Sequence, residues 1–113
     1  MKRKHLRFGK GFGVSIGNER SQAAQMVMTS GEREGGPDNR HRGADQWLFV
    51  VAGSGVARVN SKRYPLRAGS LLLIERGDTH EIKCARGSEL KTLNIYVPPA
   101  YTAGGNERTA GKP

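Results

Sequence analysis

The sequence predicts an all-β fold, a sandwich or barrel, in a single domain. Three observations predict it. Glycine is abundant, 16 of 113 residues, and is spread between short apolar runs, as in chains of strands joined by tight turns. Those runs recur at a spacing of roughly 8–12 residues. No stretch carries an amphipathic helical repeat of useful length. The length suits one core rather than two.

The elements follow in order. Residues 1–22 are basic and Gly-rich, with a short strand predicted near Gly13 to Ile16 that adds an edge to the sheet. "AQMVMTSG" (24–31) reads as the first clear strand, and "GEREGGPDNR" (31–40) as a long turn. "QWLFVVAGSG" is a buried strand closed by Gly53 and Gly55. In "VARVN", Val56, Ala57 and Val59 mix with Arg58; the tight "NSKR" corner then leads to "YPL". "AGSLLLIERGDTH" is a second buried strand between turn signals, and "EIKCARGSEL" holds a strand and a turn. "KTLNIYVPP" is the last strand, stopped by Pro98 and Pro99, which cannot continue a ladder. The expected organisation is a basic leader (1–22), a barrel (23–100) and a flexible tail (101–113), polar and Gly-rich.

The net charge is +9. Part of it clusters at the start, in Lys2, Arg3, Lys4, Arg7 and Lys10; the rest is scattered, as in Arg40, Arg42, Arg58, Lys62, Arg63 and Arg67. No aromatic residues interleave with the basic ones in the way base stacking needs. A solvated basic surface is therefore expected, and nucleic acid is not an expected partner. The start has positive charge but no apolar run after it, which argues against a secretory signal or membrane anchor. No segment is apolar for long enough to span a bilayer. The one cysteine, Cys84, allows no internal disulfide and suits a reducing compartment. A cytoplasmic location is expected.

Two histidines stand in suggestive frames. From Gly69, five residues lead to Glu75, then Arg76 and Gly77; two residues later comes His80, and three after that Cys84. Gln46 is followed by six residues and Gly53; four residues separate it from His41, and Asn39 precedes His41 by two. These spacings resemble the two motifs of small single-domain cupins. In that family the second motif is Gly, five residues, Pro-x-Gly, two residues, His, three residues, Asn. The first joins His-x-His to Glu and Gly. Here Glu75 stands in the proline place, Cys84 in the asparagine place, Gln46 in the glutamate place and Asn39 in that of the first histidine. The resemblance covers about residues 25 to 97. It implies a double-stranded β-helix, the jelly-roll barrel.

It also implies a metal site. Alternate residues of a strand share a face, so Asn39 and His41 can point one way if extended, as can His80, Ile82 and Cys84. The family's set is three histidines and a carboxylate. The corresponding set here is His41, His80, Gln46 and Asn39, two imidazoles and two amides, and it is neutral. A divalent transition metal, iron, nickel, zinc or manganese, would keep its full charge and draw an anionic chelating ligand. Asp45 is the alternative carboxylate, but its parity is opposite to that of Gln46. Cys84, Ile82, Trp47 and Tyr96 are further candidates for the pocket wall. Glu75, Asp78 and Glu81 are expected to pair with Arg76 or solvent, and His5 to be a solvated residue of the leader.

Two functions are open at this point, with a weaker third, a nucleic-acid-associated accessory domain that uses the basic leader. One is a metal-dependent cupin of dioxygenase, decarboxylase or isomerase type acting on a small anionic or polar compound. The other is a non-catalytic small-molecule binding or sensor barrel without a tightly bound metal. A homodimer is expected, because an unprotected strand edge in one small barrel favours pairing.

Overall fold

A computed structural model describes residues 1–40 and 43–102 of the chain, the backbone alone at 37–40. The strands are β1 (Gly11–Gly17), β2 (Gln22–Met28), β3 (Arg33–Arg40), β4 (Asp45–Ala52), β5 (Ser54–Val59), β6 (Lys62–Arg67), β7 (Leu71–Ile74), β8 (Thr79–Cys84) and β9 (Leu90–Val97). They form a five-stranded sheet, ordered β1-β2-β9-β4-β7, and a four-stranded sheet, ordered β3-β8-β5-β6. The paired strands run antiparallel. The fold is all-β, as the glycine and turn framework predicts. Among the described residues no helix is long and apolar enough to cross a membrane.

The core lies between the sheets. Met26 and Met28 of β2, Leu48 and Val50 of β4 and Leu90 of β9 pack against Ala57 of β5, Leu66 of β6, and Ile82 and Cys84 of β8. Burial of a side chain such as Leu48 stabilises the fold by about 1.5–3 kcal/mol. Two turns set the register. Asn60 and Ser61, both at positive φ, close the β5–β6 hairpin, a conformation that matches the twist of the flanking strands. Gly53 has φ +88, and a Cβ there would stand 2.0 Å from the Glu89 carbonyl oxygen. Only glycine lets β4 turn so closely past the chain entering β9.

Three local expectations differ. The segment read as a long turn, 31–40, forms β3 from residue 33. It pairs with β8 through Arg33, Glu34 and Gly35, and again at Arg40, with an irregularity between. β3 is an edge strand, where Gly35 and Pro37 leave no central ladder broken. The apolar runs of β4 and β7 are buried on one face only: Trp47, Phe49, Val51, Leu71 and Leu73 are exposed on the other. A continuous apolar run does not distinguish a doubly covered strand from one bearing an apolar outer face. Finally, Arg76 pairs with Asp45 rather than with the carboxylates near it in sequence. Asp78 instead accepts from Asn60 and from the Glu75 backbone, and Glu81 faces Arg33.

The basic leader sends β1 along the free edge of β2. Tyr101 packs edge-on against Tyr96 and lies 4.7 Å from Phe12 between ring centroids. The Gln22 side chain binds the backbone of Ala100 and Tyr101. Packing therefore continues to residue 101, and the tail from residue 103 lies outside the described residues.

Candidate functional site

The inner face of β4 presents Gln46, Leu48 and Val50, and that of β8 presents His80, Ile82 and Cys84. Four of these, Leu48, Val50, Ile82 and Cys84, belong to one packed cluster, so the two inner faces meet. Gln46 continues its face one inward position before Leu48. His80 does the same before Ile82. Both are buried, at 4% and 6% exposure. β9 adds Thr92, Asn94 and Tyr96, also buried.

These polar groups form a relay whose direction is set from one end. The Met26 carbonyl can only accept, so the Thr92 hydroxyl donates to it at 3.5 Å. The Thr92 oxygen then accepts from Asn94 Nδ2 at 3.1 Å. That turns Asn94 Oδ1 toward Gln46, which donates through Nε2 at 3.0 Å. The remaining atom, Gln46 Oε1, is buried and has no hydrogen-bond partner among the described residues. The relay thus assigns both amide orientations, and the vacancy it leaves is that of an acceptor. A buried acceptor left unsatisfied costs about 1–3 kcal/mol. It calls for a cation or a hydrogen-bond donor.

The strands that carry Gln46 and His80 are tied together where they begin. Asp45 accepts from the Arg76 backbone at 2.9 Å and from Arg76 Nε at 3.2 Å. Those bonds hold the Asp45 carboxyl below its usual range. Arg76 lies in the turn leading to β8, where Asp78 accepts from the Glu75 amide at 2.9 Å and Gly77 takes positive φ. Asn60, at the β5–β6 corner, accepts from the Thr79 amide next to His80. The His80 ring nitrogen Nδ1 lies 3.5 Å from the Asp78 carbonyl. Asp45 is thereby engaged outside the barrel interior, and Gln46 is the inward residue of the two.

The other expected site residues divide. Asn39 falls in β3, described by its backbone alone, and His41 lies outside the described residues. Ile82 is part of the packed core. Cys84 is buried there too, its thiol 3.3 Å from the Ser88 carbonyl. Tyr96 packs with Ala24, Ala44 and Ala100. Trp47 does not join them: it is 41% exposed on the outer face, because its parity is opposite to that of Gln46. Thr92 and Asn94 were not anticipated. The signal was present in "LKTLNIYV", where both share the parity of Leu90 and Tyr96. Polar residues on the inward parity of a strand mark a lined cavity or a buried network.

Among the described residues, no group of three or more His, Cys, Asp or Glu could hold a metal ion. The donors that suit one are the buried imidazole of His80 and the unpartnered Gln46 oxygen. Both are neutral donors, so a divalent ion taken there would keep its charge for an anionic co-ligand.

Comparison with known proteins agrees with the architecture. The family model described as a cupin domain matches residues 24–96. A Thermotoga maritima protein named "Oxalate-binding protein" is 26% identical over 74 residues, 66% of this chain and 60% of the relative. The chain thus spans about 60% of the length of that curated relative. Among solved structures, a cupin protein from Bacteroides fragilis superposes with a TM-score of 0.71 at 20% identity, over 90% of this chain and 93% of the other. A predicted oxalate decarboxylase from Thermotoga maritima gives 0.65 at 20% identity, over 78% and 79%.

Proposed function

This chain belongs to the cupin domain family, and from that premise we propose that its barrel binds a small polar or anionic ligand beside Gln46 and His80. The observation that carries the reading is the buried Gln46 Oε1, unpartnered among the described residues. Folding leaves that acceptor uncompensated, and a ligand donor or a divalent ion repays it. His41 and Asn39, from the matching motif, complete the set. A metal held there would supply Lewis-acid character to an anionic ligand. His80 and Gln46 would hold it, and the relay behind Gln46 keeps the amide oxygen presented. A small dicarboxylate is the first ligand to try, because the curated relative carries oxalate in its name.

The test is elemental analysis by plasma mass spectrometry on untagged protein, beside His80→Ala, with thermal shift in oxalate. Near-stoichiometric metal that is lost in the variant, with an oxalate shift that needs it, supports the metal-bound reading. Metal absent from both after incubation with iron, nickel, zinc and manganese, with a ligand shift retained, supports a metal-free binding barrel. The neutral donor set favours this second reading. No metal and no shift with any small carboxylate, sugar or amine would sink both.

We infer as well that the protein pairs through the outer face of the five-stranded sheet. Trp47 stands there opposite Leu73 and Ile95, and Phe49 opposite Leu71 and Leu93. Contiguous exposed apolar surface of this kind is uncommon on monomers. None of these positions is charged, so the net charge of +9 opposes contact elsewhere more than here. Light scattering is expected to give a dimer, and Trp47→Asp with Leu73→Asp a monomer.

A further inference from the structure

Basic residues scattered through the sequence converge on the outer face of the four-stranded sheet. The register aligns Arg33 with Lys83 and Lys83 with Val56 and Pro65; the next row aligns Glu81 with Arg58 and Arg58 with Arg63; Arg67 stands opposite Ser54 beyond them. Arg33, Arg58, Arg63 and Lys83, with Val56 and Glu81, line a depression of about 170 Å³. Glu81 is the one carboxylate among these positions, and it lies 3.8 Å from Arg33. Two pairs, Arg33 with Lys83 and Arg58 with Arg63, set like charges directly opposite each other. Such pairs destabilise a sheet, and alternating signs would have removed that penalty.

We propose that this face binds the phosphate backbone of double-stranded nucleic acid, without reading its bases. The cations occupy four strands and three residue rows, a field of roughly 14 by 13 Å from strand spacing and rise. That is wider than one phosphate and suits several. Among the described residues no outward position of this sheet is aromatic; Tyr64, exposed on β6, aligns with Ala57 on the inner parity, so this face offers single strands no stacking platform. Val56 and Pro65 are the apolar residues among the cations, too small an anchor for a membrane surface. The face is separate from the barrel interior and does not depend on the ligand proposed above.

The experiment is fluorescence anisotropy of a labelled DNA duplex with the full chain, titrated from about 50 mM salt upward. With about four phosphate contacts, log affinity should fall against log salt with a slope of about −3 to −4. Arg58→Glu with Arg63→Glu should weaken binding at least tenfold and reduce the slope by about 2. Arg7→Glu with Lys10→Glu, the same charge change in the leader, should weaken it less than threefold. Arg58→Gln with Arg63→Gln serves if charge reversal impairs folding, and should lower the slope equally. Equal losses from both pairs would mean that net charge alone binds. No wild-type binding at about 50 mM salt, or binding to phosphatidylserine vesicles but not to duplex, would also overturn the proposal.

Discussion

The interior of this barrel has two regions built by the same strands. In one, Leu48, Val50, Ile82, Cys84 and Leu90 fill the space between the sheets with apolar atoms. In the other, Thr92, Asn94 and Gln46 run a hydrogen-bonded seam from β9 to β4, and His80 extends the facing strand beyond the apolar cluster. The apolar region pays in buried area. The seam contributes little net stability, since its bonds mostly replace bonds to water, and it leaves one acceptor open. The apolar packing and the proposed ligand site are therefore two residues apart along β4 and β8.

The largest effect should come from the apolar side. Leu48→Ala is expected to cost about 2–5 kcal/mol in urea unfolding, since the site is closed on all sides. Loss below about 1 kcal/mol would mean that the cluster collapses around the gap. A smaller effect should follow from reversing the seam. Gln46→Glu sets a carboxylate oxygen against Asn94 Oδ1, so Asn94 must flip and abandon Thr92. A loss of about 1–3 kcal/mol is expected, recovered by divalent manganese or zinc if a metal sits there. Unchanged stability without metal would show that the relay does not set the amide orientation.

Gln46→Leu separates the regions most cleanly. It removes the orphaned Oε1 but orphans Asn94 Oδ1, one unsatisfied acceptor for another. Stability should change by about 1 kcal/mol or less, while ligand binding by calorimetry is lost. Retained binding would move the ligand away from Gln46. The smallest effect belongs to the tie outside the barrel. The Asp45 carboxyl is lowered first by the Arg76 side-chain hydrogen bond. Its stabilisation is present above the unfolded carboxylate range, near pH 4, and disappears as pH falls through the lower folded value. Asp45 is partly exposed, so Asp45→Asn should cost below about 1 kcal/mol at neutral pH, and the cost should shrink as pH falls through the lowered folded range.

The fold was legible because it depends on features local to the chain. Gly53 and the Asn60–Ser61 corner need backbone conformations that their residue types supply. β3 was not legible: Gly35 and Pro37 have turn propensities, and the pairing with β8 that overrides them at the edge lies far off in sequence. The site was legible in part. Spacing singled out Gln46 and His80, and both are buried on inner faces. Trp47 stands outside the pocket because it takes the parity opposite to Gln46, which aromatic character does not reveal. Asn94 and Thr92 are less legible, because a polar residue in a strand is ordinarily outward and these two are buried.

By itself the sequence determined the all-β class, the position of most strands and turns, and the motif frame of the cupin family. Each of these is written in periodicity, glycine placement or spacing along the chain. The tertiary structure alone decided which side of β4 is core and which is exposed, the direction of the Thr92–Asn94–Gln46 relay, and the gathering of Arg33, Arg58, Arg63 and Lys83 on one face. These depend on register between strands distant in sequence, and register is a property of the assembled sheets.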